Sequence, residues 1–136
     1  MNKIFTLLFT FPILINAQNN VCFTIDRNPN STTAFSGFSK YVDVLGCFSI
    51  YAESSISDAK VLHAAAVAAE LLDNDEDGIV DDPLIEAQLQ NKQAFTPVFS
   101  SEGSNAENLL FNNYNGDGAS AVLYNNEIDP AQTGHW

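Results

Sequence analysis

Basic side chains are almost missing from this chain: five Lys and Arg stand against seventeen Asp and Glu, a formal net charge of −12 over 136 residues. A surface so short of cations repels phosphate backbones and anionic lipid headgroups and attracts cations instead. Nucleic-acid binding is disfavoured on charge alone. Histidine is scarce too. Only His63 and His135 are present, and neither sits in the His-Glu-x-x-His or Cys-x-x-Cys spacing that marks a transition-metal site. With Glu70 and Glu127 they make a loose group at most. The chain has no Gly-x-Ser-x-Gly elbow, phosphate loop or dinucleotide fingerprint. Glu53, Glu70, Glu102 and Glu107 supply carboxylates, but nothing in their spacing singles out an acid–base pair. No motif here supports an enzymatic activity.

Long apolar runs are limited to one, at the start. Residues 4–15 are apolar except for Thr6, Thr10 and Pro12, with Met1-Asn2-Lys3 before them and small Ala17 after. A short basic start, about a dozen apolar residues and a small residue at the cut describe a secretory signal peptide. A membrane span needs roughly 20 apolar residues, so this stretch is too short for one. The expected organisation is a leader over residues 1–17 and one domain over residues 18–136, exported to a periplasmic or extracellular location. Removing the leader also removes Lys3, leaving only Arg27, Lys40, Lys60 and Lys92 against all seventeen acids.

Cysteine is limited to Cys22 and Cys47. In an oxidising compartment such a pair is expected to form a disulfide, which would contribute about 3 kcal/mol through loop closure. Two buried free thiols are the alternative; neither cysteine has a histidine near it in sequence to make it catalytic. Asn30-Ser31-Thr32 fits the glycosylation sequon, which matters only in a cell that glycosylates.

Local signals predict a mixed α+β domain. Residues 21–25 and 41–51 read as strands, the second bulged at Gly46, and residues 94–99 as an edge strand because of Pro97. Ser57 is a good N-cap for a helix over residues 59–72, with Val61, Leu62, Ala65, Ala68, Ala69 and Leu72 on its buried face and His63 and Glu70 opposite. Asp82-Pro83 starts a second helix, to about Lys92. Ser104 with Glu107 forms a capping box for a third, ahead of a short strand over residues 119–124.

Between the first two helices lies the densest run of charge: Asp73-Asn74-Asp75-Glu76-Asp77-Gly78-Ile79-Val80-Asp81-Asp82. Carboxylates at every second position, closed by a glycine, can wrap one hard cation in oxygen ligands. Without a cation, six acids in ten residues repel one another at close range. The alternative is a solvated acidic turn that also caps two helices.

Asp73-x-Asp75-x-Asp77-Gly78 resembles the first half of an EF-hand loop, and the loops of dockerins and thrombospondin type 3 repeats. The resemblance implies Ca²⁺ as the ion, held over loop residues 73–84 by Asp73, Asp75, Asp77, the Ile79 carbonyl and Asp81, the last through water. The twelfth position departs from that pattern. It is Leu84, which binds no cation; Glu86 would face away along the helix, and Asp82 is nearer but is also the cap of the second helix. An affinity near the weak end, about 10⁻⁴ to 10⁻³ M, is expected. Asn113-x-Asn115-x-Asp117-Gly118 copies the spacing with a single acid and reads better as a turn.

The fold expected is a helix–acidic loop–helix unit packed on a short sheet, and the function a calcium-binding module with a structural ion. Residues 60–83 also resemble longer secreted proteins that look metallopeptidase-like further downstream, which would make this chain the N-terminal part of an enzyme. A calcium-dependent surface domain touching a glycan or protein is the third reading, with Tyr51, Tyr114, Tyr124 and Trp136 as its candidate aromatics.

Overall fold

The computed structural model describes residues 23–130. The expected leader, Cys22, His135 and Trp136 lie outside them. The described residues form an α+β unit with one five-stranded sheet and three α-helices.

The sheet starts with β1 (Asp26–Arg27), then β2 (Lys40–Val44) and β3 (Phe48–Ala52), paired antiparallel with Tyr41 opposite Tyr51 and Val42 opposite Ile50. The single bulged strand expected over residues 41–51 is instead this hairpin. Leu45 and Gly46 both take positive φ, 53° and 69°, and the Cys47 N–H donates to the Val44 carbonyl. Glycine at 46 permits a full reversal where a bulge was expected. The strand expected over residues 21–25 is also corrected. Residues 23–25 are irregular, and Phe23 and Ile25 pack as half-buried side chains against the core.

Helix α1 (Asp58–Leu72) and helix α2 (Pro83–Lys92) then cross over to β4 (Phe95–Phe99), which lies parallel to β3. Helix α3 (Asn105–Asn113) crosses to β5 (Leu123–Tyr124), parallel to β4. The strand expected over residues 119–124 shrinks to those two residues plus an isolated bridge from Ala119 to Phe95. β4 is therefore not an edge strand, and all five of its residues are buried. Pro97 is accommodated because of where its nitrogen points. Phe95 and Phe99 bond toward Gly118, Ser120 and Asn125, and by alternation Pro97 faces the same side. The neighbouring chain is unpaired there, between Ser120 and Leu123, so no ladder bond is lost.

Alternation divides the sheet into two apolar faces. Val42, Val44, Ile50, Ala52 and Val98 pack against Val61, Ala64, Ala65 and Ala69 of α1. The buried stripe of α1 is narrower than the pattern implied: Leu62, Ala68 and Leu72 are half-buried, as are His63 and Glu70. On the other face Tyr51, Phe95 and Phe99 meet Phe35 and Phe38, near a 3-10 turn at Thr33–Phe35, and Ala106 and Leu110 of α3. Ring centroids 4.7 Å (Phe35–Tyr51) and 5.0 Å (Phe35–Phe95) apart make this an aromatic core. Helix α2 contributes no buried residue, so the helix–loop–helix unit packs into the apolar core of the sheet through α1.

No disulfide is found among the described residues. Cys47 is buried, with its Sγ 3.9 Å from the Val44 carbonyl, and its expected partner Cys22 is not described. Burial, with Glu86 and Asp43 nearby, pushes the Cys47 thiol above its ordinary value.

Candidate metal centre

Asp73 is the residue on which α1 stops: its N–H still bonds the Ala69 carbonyl, and its side chain is fully buried, with 0% exposure. The carboxylate is turned into the loop. Its Oδ1 accepts from the Asp77 N–H at 3.2 Å and its Oδ2 from the Gly78 N–H at 2.7 Å. These bonds require the chain to double back, which it does through Glu76 and Gly78 at φ 59° and 86°. The Asp77 Oδ1 accepts from the Ile79 N–H at 2.9 Å, a local turn bond.

Val80 then dips into the protein while Ile79 stays exposed. The Asp81 N–H donates to the Leu72 carbonyl at 2.9 Å, closing the loop on the end of α1. Its Oδ2 accepts from both the backbone N–H (3.0 Å) and the side-chain amide (2.9 Å) of Asn74. Asp82 caps α2, its Oδ1 accepting from the Leu84 and Ile85 N–H groups at 2.8 and 3.4 Å.

Of the six ligands anticipated from the sequence, Asp73, Asp75 and Asp81 are brought together, each offering one oxygen within 4.8 Å of the others. Asp77 and Asp82 are not in that group, and like Asp73 and Asp81 they have a carboxylate oxygen engaged by backbone N–H groups. Ligands about 2.4 Å from one ion can lie at most about 4.8 Å apart, and the three oxygens meet that limit, so the group could hold a cation. This is the only group of three His, Cys, Asp or Glu side chains among the described residues with such geometry.

Repulsion and hydrogen bonding act in opposite directions on two of the loop's acids. Asp77, burial and the neighbouring Asp73 and Asp81 hold the Asp75 carboxyl above its ordinary value. Asp81 is held below, because the Asn74 bonds favour its charged form. The two ion pairs among the described residues, Lys40–Asp58 and Lys92–Asp117, do not touch the loop.

Among the described residues the other sequence candidates do not assemble. His63 and Glu70 remain on α1, the Glu127 Oε2 accepts from the Tyr124 N–H, and His135 is not described. In the second Asn/Asp stretch, Asp117 pairs with Lys92 and the Asn113 amide returns to the Leu109 carbonyl, so it is a turn.

Two polar clusters went unread in the sequence. Glu53 bonds Ser104 Oγ (2.6 Å) and both the N–H and Oγ of Ser100 (3.0 Å each). Buried Glu107 accepts from Tyr124 Oη at 2.6 Å, and that bond first, then burial, pushes the phenol up to about 12. The capping box Ser104/Glu107 was the only local trace of them.

No family model, no curated protein and no solved structure matches the chain.

Proposed function

We propose that the protein is an exported calcium-binding module in which one Ca²⁺ joins the end of α1 to the start of α2 and serves stability, not catalysis. The observation that carries this reading is the fully buried Asp73 with Asp75 and Asp81 converging on it, while the ion pairs among the described residues lie elsewhere. Three carboxylates gathered this closely repel one another, and a divalent cation among them relieves that repulsion. The donors are all oxygen, which suits hard cations. Ca²⁺ tolerates an irregular, partly hydrated shell, whereas Mg²⁺ demands near-ideal octahedral geometry. Asp77, the Ile79 carbonyl, Asp82 and water would complete the shell.

With no acid at Leu84, a dissociation constant of about 10⁻⁴ to 10⁻³ M is expected, within reach of extracellular calcium. At ten times that constant the ion would add about 1.4 kcal/mol to stability. Isothermal titration and thermal unfolding with Ca²⁺ test the proposal. A millimolar heat signature with a rising Tm supports it; no heat and an unmoved Tm through several millimolar Ca²⁺ would end it.

A further inference from the structure

The aromatic face of the sheet is covered unevenly. Phe35, Phe38 and α3 cap Tyr51, Phe95 and Phe99, but toward the β2–β3 turn the same face carries Tyr41, Asp43 and Ser49, which stay accessible. A cleft of about 370 Å³ opens there, lined also by Asn30 and by Gln90 and Gln93 at the end of α2. That volume lies within the ordinary range for small-ligand sites, roughly 300–1,000 Å³.

The cleft's chemistry differs from the rest of the surface. On a chain with seventeen acids, Asp43 is the one charged residue lining it among those described. No described basic residue lines it to hold a phosphate or carboxylate, and one carboxylate does not make a metal site. Asp43 is itself engaged, accepting from the Gly46 N–H at 3.2 Å. What remains is amide and hydroxyl above aromatic walls: Gln90 and Gln93, with Ser49 Oγ and the Tyr41 phenol bonded to each other at 3.3 Å and the Asn30 oxygen already held by Thr32. Each amide side chain both donates and accepts, as does each hydroxyl. Gln90 is only weakly engaged, at 3.4 Å from the Gly46 carbonyl and 3.5 Å from Glu86, so its amide is available for exchange. Gln93 is held at φ 50° by the helix C-cap, a left-handed conformation in which it lines the cleft.

We infer that this cleft binds a neutral sugar ring. Sugar hydroxyls match the amides and phenols in being donors and acceptors at once, and the apolar C–H face of a pyranose fits against the tyrosine walls. The site stands on its own residues and does not depend on an ion in the acidic loop.

The test is a titration of the ¹⁵N-labelled full chain with methyl β-glucopyranoside, methyl β-galactopyranoside and methyl α-mannopyranoside, followed by amide shifts, with acetate and tetramethylammonium as comparators. At least one glycoside is expected to move the amides of Tyr41, Ser49, Gln90 and Gln93 in a saturable way, and acetate to move none. Gln90→Ala, at an exposed helix position, should weaken binding about fivefold, the loss of one hydrogen bond, with unchanged Tm. No saturable shift with any glycoside at tens of millimolar overturns the inference. So does a response to tetramethylammonium alone, which would make this a cation site at Asp43, or a glycoside affinity unchanged by Gln90→Ala.

Discussion

Asp73 does two things with one carboxylate: it accepts two backbone N–H groups that set the loop's turn, and it faces Asp75 and Asp81. Substitutions separate the two. Asp73→Ala leaves the Asp77 and Gly78 N–H groups without their acceptor and should cost about 1–3 kcal/mol even in EDTA. Asp73→Asn keeps one of the two acceptor oxygens and removes the charge. Its Tm in EDTA should fall less than that of Asp73→Ala, while the Tm rise produced by calcium disappears. Equal calcium responses in wild type and Asp73→Asn would remove Asp73 from the ion's shell.

Asp75 carries the pH dependence. A carboxyl raised in the folded state contributes stability that is fully present below the unfolded value, near 4, and is lost as pH rises through its folded value. Asp81 is lowered, so its contribution is present above the unfolded value and is lost as pH falls through the folded one. A bound cation offsets the repulsion on Asp75 and expels its proton. Calcium affinity should therefore fall as pH drops into the acidic range where Asp75 takes up its proton. Titration heats in two acidic buffers of different ionisation enthalpy should show proton release there, and none near neutrality.

Among elements, α2 stands apart. It buries nothing, Leu84 is 77% exposed, and the cap at Asp82 is its best-defined attachment. Helices with few buried contacts open first. Amides of α2 should exchange quickly in EDTA and slow several-fold in calcium, while those of β3 and β4 hardly change; uniform slowing of all three would show that the ion does not act at this junction. The helices were legible because their signals are local. Asp82-Pro83 and Ser104/Glu107 sit within one turn of the boundaries they set, and α2 spans the predicted residues. Ser57 occupies the cap position of α1 without a side-chain bond, so the right residue was found for a reason the geometry does not use. The loop's ligand spacing was legible in the same way. Which three carboxylates converge was not, because that depends on backbone reversals at Glu76 and Gly78.

For the molecule as a whole, stability rests on the two faces of the sheet. Phe95, buried among Phe35, Tyr51 and Tyr114, should cost about 3–5 kcal/mol when replaced by alanine, against well under 1 kcal/mol for Leu84→Ser. Denaturant midpoints of the two variants check this, and similar losses would mean that α2 belongs to the core. The α+β class could be read from composition and periodicity. The strand order could not: pairing β3 with β4 joins residues far apart in sequence, and Pro97 looks like an edge residue until its neighbour's gap is seen. The amide-lined cleft was equally invisible, since Asn30, Tyr41 and Gln93 meet only through tertiary structure.

Because β3 and β4 lie side by side and parallel, everything from Glu53 to Ala94 is a tether whose two ends must meet before the sheet can zip. Closing a long, loose tether is slow, and the wait shortens when its middle is already folded on itself. A cation that gathers Asp73, Asp75 and Asp81 takes up slack near the midpoint of that span. Calcium should then hasten refolding in stopped-flow experiments, instead of acting only by delaying unfolding.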